Sequence, residues 1–207
     1  NGITPGDLSF DLELEGSPAA HATEDVLISK GGDWRYWDKE GYPDGEWTTP
    51  NYIEFNWSSG LSRLGYGIGG ESTVVDGGPV NARRPSVFFR KVFDVADPSL
   101  YTALHLMFQR DDGIRVWLNG SPVVTSNLAI SANSGHLALS EVSPAEFLVW
   151  HHFLLDASKL ISGRNLILVE LHQASVTGPD LGFDLQLTAA VQDQSPTLRI
   201  KPSGTGW

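Results

Sequence analysis

Trp37 and Tyr42 sit on the charged turn Asp38-Lys39-Glu40-Gly41-Tyr42-Pro43-Asp44-Gly45-Glu46, whose carboxylates keep it in water. An aromatic ring held among exposed charges can stack on the apolar C–H face of a pyranose while neighbouring Asp and Arg side chains bond its hydroxyls. An apolar platform with a few placed polar groups is the general form of a small-molecule site. Trp117 is a third candidate. Ile114, Val116 and Leu118 alternate onto one face of their strand, so Trp117 points to the other, beside Arg115 and Asn119. There it either covers the outer face of a sheet under a neighbouring strand or loop, the preferred reading, or forms part of an open platform.

Polar candidates accompany these rings. Arg83 and Arg84 lie in the glycine-rich segment 65–86 of an acidic chain. A guanidinium such as that of Arg84 can grip a carboxylate or sulfate, although a solvated pair is the plainer reading. Asp111 and Asp112 read first as turn residues, and a contact from Asp112 to a ligand hydroxyl or a cation is the alternative. Trp34, Trp47 and Trp57 read as core pins.

Catalytic signatures are thin. The sequence has no GxSxG elbow, P-loop, HExxH or dinucleotide fingerprint. The six histidines show no metal-ligand spacing: His151 and His152 on a strand face opposite ways, and His172 reads as a structural hydrogen-bonder. A glycosidase needs only two facing carboxylates, so 25 Asp and Glu leave a pair open. The reading is nevertheless of a non-catalytic chain.

The elements that must position these residues are strands. With 207 residues and 41% hydrophobic content the chain can bury one sizeable core. Period-2 alternation recurs where a 3.6 period does not. It places Leu104, Leu106 and Phe108 on one face, and Ile114, Val116 and Leu118 on one face of the next strand. Asp111-Asp112-Gly113 is expected to be the hairpin turn between them, and Asn119-Gly120 a second turn, making a meander. Further strands are predicted at 87–95, 146–155, 165–173 and 181–188, with one helical turn at 156–160. Segment 65–86, rich in Gly, is the longest irregular stretch.

The chain also echoes itself. Asp7-Leu8-Ser9-Phe10-Asp11-Leu12-Glu13-Leu14-Glu15 aligns with Asp180-Leu181-Gly182-Phe183-Asp184-Leu185-Gln186-Leu187-Thr188, identical at six of nine positions. Convergence on an amphipathic strand is one explanation, and tandem duplication is the other. Residues 7–15 are then either an integral first strand, slightly preferred, or the remnant of a preceding repeat.

A net charge of −11 repels phosphate backbones and anionic lipid, so neither nucleic acid nor membrane is expected as a partner. No run approaches the roughly 18 apolar residues of a spanning helix. The chain has no cysteine, which removes disulfides and thiolate chemistry. Its first residues show neither an initiating Met nor a signal peptide, as expected of a piece of something longer.

Taken in order, the stretches 33–57 (Asp33 to Trp57), 63–67 (Arg63 to Gly67), 88–99 (Phe88 to Ser99), 110–120 (Arg110 to Gly120) and 165–187 (Asn165 to Leu187) resemble a galactose-binding-like jelly-roll module. Such modules occur as repeats in large secreted bacterial proteins and beside carbohydrate-active enzymes. Residues 111–120 also resemble the sugar-binding jelly-roll domain of β-galactosidase and β-glucuronidase-type glycosidases. The resemblance runs from about residue 26 to 190. It departs from the acidic pattern of related modules at Tyr52-Ile53-Glu54-Phe55-Asn56-Trp57 and at Gly67-Ile68-Gly69-Gly70-Glu71.

The fold expected is all-β, a two-sheet antiparallel β-sandwich of jelly-roll type. Residues 24–190 form the module, 1–23 an N-terminal strand and linker, and 191–207 a linker or the start of a next domain. The function expected is that of a non-catalytic module of a secreted or surface protein, binding a polysaccharide through the candidates read from the residues, Trp37, Tyr42, Trp117, Arg84 and Asp112; the resemblance implies the fold more strongly than the ligand. The alternatives are a structural or adhesive repeat without glycan binding and a polysaccharide hydrolase or lyase. No cofactor is required, and a structural calcium enters by analogy alone. Partners are a carbohydrate and neighbouring domains of a longer chain.

Overall fold

The computed structural model describes residues 23–192. Its strands are β1 (Glu24–Ile28), β2 (Asp33–Trp37), β3 (Ser58–Leu61), β4 (Leu64–Tyr66), β5 (Thr73–Val74), β6 (Ser86–Val95), β7 (Tyr101–Asp111), β8 (Gly113–Leu118), β9 (Ser121–Ser126), β10 (His151–Asp156), β11 (Gly163–His172) and β12 (Leu181–Val191). One short helix, α1 (Pro144–Phe147), and three 3-10 turns complete the described elements. No helix among the described residues is long and apolar enough to cross a membrane.

The strands form two sheets packed as a sandwich. The first has the order β10-β7-β12-β4-β5, with β1 beside the far end of β12, and the second has the order β3-β2-β6-β11-β8-β9. Every pairing is antiparallel except β4 with β5. From β6 to β12 the chain changes sheet at each connection but β8 to β9, the path of a jelly roll.

Alternation fixes the register. In the second sheet Phe89, Val169 and Val116 are cross-strand neighbours facing the core, and in the first Phe108 opposes Leu185 while Leu106 opposes Leu187. A slip of one residue would turn every one of these side chains to the wrong face. Gly65 lets β4 close on β12, since a Cβ there would stand 2.0 Å from the Leu181 carbonyl oxygen.

Two expectations are corrected. Asp111-Asp112-Gly113 is no hairpin turn, because β7 lies in the first sheet and β8 in the second. The glycine is needed for closeness rather than for a positive φ: a Cβ on Gly113 would meet Ala138 Cβ and the Asn127 carbonyl oxygen, each at 2.8 Å. The hairpin is instead β8–β9, where Asn119 and Gly120 have φ of 50° and 78°. The segment 146–155 is not one strand either. Ser143 Oγ accepts the Glu146 N–H and Pro144 sits in the first turn of α1, so β10 begins only at His151. The turn expected at 156–160 is present as a 3-10 turn, Ala157–Lys159, capped by Asp156.

Beside the main core lies a second one. Trp34 belongs to the core between the sheets, whereas Trp47 and Trp57 join Phe88, Leu166 and Leu168 on the outer face of the second sheet. There the segment between β2 and β3 folds back as a cover.

Candidate functional site

That outer face is built from cross-strand rows. Arg35, Arg90, Leu168 and Trp117 are neighbours across β2, β6, β11 and β8, and Trp37, Phe88, Glu170 and Arg115 form the next row. Trp47 stacks on Trp57 with ring centroids 5.8 Å apart, and Trp57 Nε1 donates to Tyr52 Oη, which donates to Asp44. Arg90, fully buried, anchors the cover: it pairs with Glu54 and donates from Nη2 to the Thr49 carbonyl at 2.7 Å. Arg35 Nε holds the same Glu54 at 2.9 Å.

Tyr42 rides on this second core. Its ring stands edge-on to Phe88 at 5.2 Å and to Trp47 at 5.8 Å, yet 55% of the residue stays exposed. Desolvation of the part that is covered raises the phenol pKa, so it stays a neutral hydrogen-bonding group.

Two clefts share Tyr42 as a wall. One, of about 250 Å³, is lined by Tyr42, Trp47, Thr48, Trp117, Gly120 and Leu168. The other, of about 380 Å³, is lined among others by Lys39, Tyr42, Arg83, Arg84 and Phe88. The first is aromatic. The second carries three cations against one acid, Glu40, in a chain of net charge −11. Arg84 is held there by Asp76, donating to its carbonyl and carboxylate, and Arg84 holds the Asp76 carboxyl below its usual range. Arg83 lies over the Tyr66 ring at 4.3 Å, and the Nε atoms of both arginines are buried without a partner.

The sequence candidates therefore divide. Tyr42 meets Trp117 in one cleft and Arg84 in the other, while Trp37 and Asp112 line neither. Trp37 is half-buried against the second core, its Nε1 donates to the Gly41 carbonyl, and Lys39 Nζ lies 5.2 Å from its ring centroid. Trp117 is partly covered on the outer face, as preferred from the sequence, and still contributes a cleft wall. Asp112 has both oxygens engaged by backbone, accepting from Val142 N at 2.7 Å and Ala174 N at 2.6 Å. It also borders a third cleft with Glu141 and Asp180, away from the aromatic pair.

Phe88, Leu168, Thr48 and Lys39 were not singled out from the sequence. A signal existed for the first two. Val87-Phe88-Phe89 and Leu166-Ile167-Leu168-Val169 are unbroken apolar runs, the mark of strands covered on both faces.

Among the described residues the calcium of the analogy finds no cage of acidic side chains. No group of three or more His, Cys, Asp or Glu side chains among them is arranged to hold a metal ion, and Asp112 spends its oxygens on N–H donors. Asp111 beside it is buried with both oxygens unpartnered; burial first, then the charges of Asp112 and Asp180, push its carboxyl up to about 8. His172 hydrogen-bonds through Nδ1 to the His136 carbonyl at 2.7 Å, the structural role expected of it. His105 Nδ1 and His152 Nε2 lie 2.9 Å apart on the outer face of the first sheet.

Comparison with known proteins adds the fold. No family model matches the chain, and no curated protein matches it. Solved structures do. A β-glucuronidase of an uncultured Clostridium superposes with a TM-score of 0.50 at 13% identity, over 85% of this chain and 30% of that one. Bacteroides uniformis β-glucuronidase 2 gives 0.51 at 11% identity, over 82% of this chain and 18% of that one. The likeness is one of fold, a sandwich domain within glycosidases, and this chain spans less than a third of either enzyme.

Proposed function

We propose that this chain is a non-catalytic carbohydrate-binding module of a larger secreted or surface protein. Tyr42 carries the reading: a ring braced edge-on by Phe88 and Trp47, more than half exposed, and shared by an aromatic and a cationic cleft. A pyranose stacks between Tyr42 and Trp117 through its C–H face, and hydroxyl or acidic substituents reach Arg84 and Lys39. The glycosidase neighbours support a carbohydrate-related setting by analogy of fold.

A labelled sample of the chain applied to a glycan array tests this. Selective retention of one glycan class, lost on Tyr42→Ala, supports it, and a blank array refutes it. The second reading, a structural repeat, draws on the echoed strand.

A further inference from the structure

The outer face of the first sheet carries a side-chain cluster that the glycan site does not use. Leu104, Leu106 and Phe108 turn inward from β7, so His105 and Met107 turn outward. In β10, Phe153 and Leu155 pack against the core, and His152 turns outward. Met107 and His152 are register partners, and His105 lies two residues before Met107 on the same face. Two imidazoles and the chain's single methionine thus share one patch of sheet. Side chains opposite each other on one face have Cβ atoms about 5 Å apart, close enough to reach a common ion. No sequence spacing announces the set, since the two histidines are 47 positions apart.

Their nitrogens already face each other. His105 Nδ1 stands 2.9 Å from His152 Nε2. The rings lie within 3° of parallel with centroids 5.1 Å apart, a gap wider than that between the nitrogens by about one ring diameter. Both nitrogens therefore lie on the line joining the rings, where one donates a proton and the other accepts it. A metal ion can take the place of that proton.

Support for His105 continues behind it. Its other nitrogen, Nε2, is 3.7 Å from Glu24 Oε1, and Thr188 Oγ1 donates to Glu24 Oε2 at 2.7 Å. A carboxylate behind an imidazole draws the ring proton to that side, which leaves Nδ1 as the free lone pair and makes it a better ligand.

The donor set selects the ion. Calcium and magnesium need oxygen ligands, and no group of three or more His, Cys, Asp or Glu among the described residues converges on a metal. Imidazole and thioether together suit copper, and the soft thioether favours copper(I). Two facing nitrogens fit a linear N–Cu–N arrangement with the sulfur at its side. Metal–nitrogen bonds like those of zinc, about 2.0 Å, require the nitrogens to part by about 1 Å. His152 can supply that movement, being exposed on β10, the end strand of its sheet.

We propose that His105, His152 and Met107 form a copper(I) site on the outer face of the first sheet, with Glu24 as a positioning residue behind His105. Tyr42 and Trp117 lie on the other sheet's side of the sandwich, so copper and glycan bind independently.

The test titrates copper(I), kept reduced by ascorbate without air, into the full chain against a chromogenic copper(I) chelator, and repeats the titration with zinc(II). One copper(I) per chain is expected, held more tightly than zinc(II). His152→Ala and His105→Ala should each abolish stoichiometric binding, and Glu24→Gln should weaken it about tenfold, all at an unchanged urea midpoint. X-ray absorption of the copper-loaded chain should show two imidazoles and one sulfur, the sulfur lost in Met107→Leu. Absence of stoichiometric binding overturns the proposal, as does binding indifferent to His152→Ala, a copper spectrum without sulfur, or tighter retention of zinc(II).

Discussion

The ring of Tyr42 meets the ring of Phe88 at 84° with centroids 5.2 Å apart. Phe88 is an outward residue of β6, opposite Glu170 of β11 and Trp37 of β2. The exposed ring is therefore fastened to the sheet through one contact and to the cover through Trp47. Phe88→Ala should weaken glycan binding by loosening Tyr42 and removing one wall of the cationic cleft. Truncating a buried Phe costs about 3–5 kcal/mol of stability, so the variant needs binding measured under conditions where circular dichroism shows it folded.

Arg90 should be the most sensitive charged position of the cover. Removing one partner of a buried ion pair costs about 3–5 kcal/mol, and Arg90→Ala would also release the Thr49 carbonyl. The expected result is a lower urea midpoint and red-shifted tryptophan emission as Trp47 and Trp57 become wetted. Arg35→Ala, at a half-exposed residue bonded to the same Glu54, should cost well under half as much.

Asp111 makes stability fall as pH rises. An unfolded carboxyl releases its proton near pH 4, whereas folding holds that of Asp111 until about pH 8. Between those values the folded state binds the extra proton, so raising the pH favours unfolding by roughly 1 kcal/mol per unit at most. Above about pH 8 the contribution levels off. Melting temperatures from pH 5 to 9 should show this decline, and Asp111→Asn should flatten it.

Calcium should contribute nothing. A ligand bound only to the folded state raises the melting temperature through its occupancy, and the described acids form no cage. Melting curves with excess calcium and with chelator should coincide. A chelator-induced drop of several degrees would show a site that these residues do not reveal.

The sandwich was legible because its strands alternate cleanly. Leu104, Leu106 and Phe108, like Ile114, Val116 and Leu118, face the core as their spacing requires. Which sheet each strand joins was not legible, since alternation reads the same across a hairpin and across a sheet-to-sheet crossing, as at Asp111-Asp112-Gly113. The short strands β1 to β5 escaped because each spans only two to five residues, too few for an alternation to stand out. At the site, the exposed setting of Tyr42 followed from the charges around it. That Trp37 would turn into the cover, and that Asp112 would be spent on backbone N–H groups, depends on long-range packing that no local spacing encodes. The placement of residues 7–15, as strand or remnant, lies outside the described residues.

Affinity electrophoresis of the chain beside Tyr42→Ala, through gels containing neutral and acidic polysaccharides, tests the central claim most directly. The account predicts that at least one polysaccharide retards the unmodified chain and that Tyr42→Ala weakens the interaction about tenfold, ~1.4 kcal/mol, at an unchanged urea midpoint. Equal retardation of both proteins, or none by any polysaccharide, would contradict it.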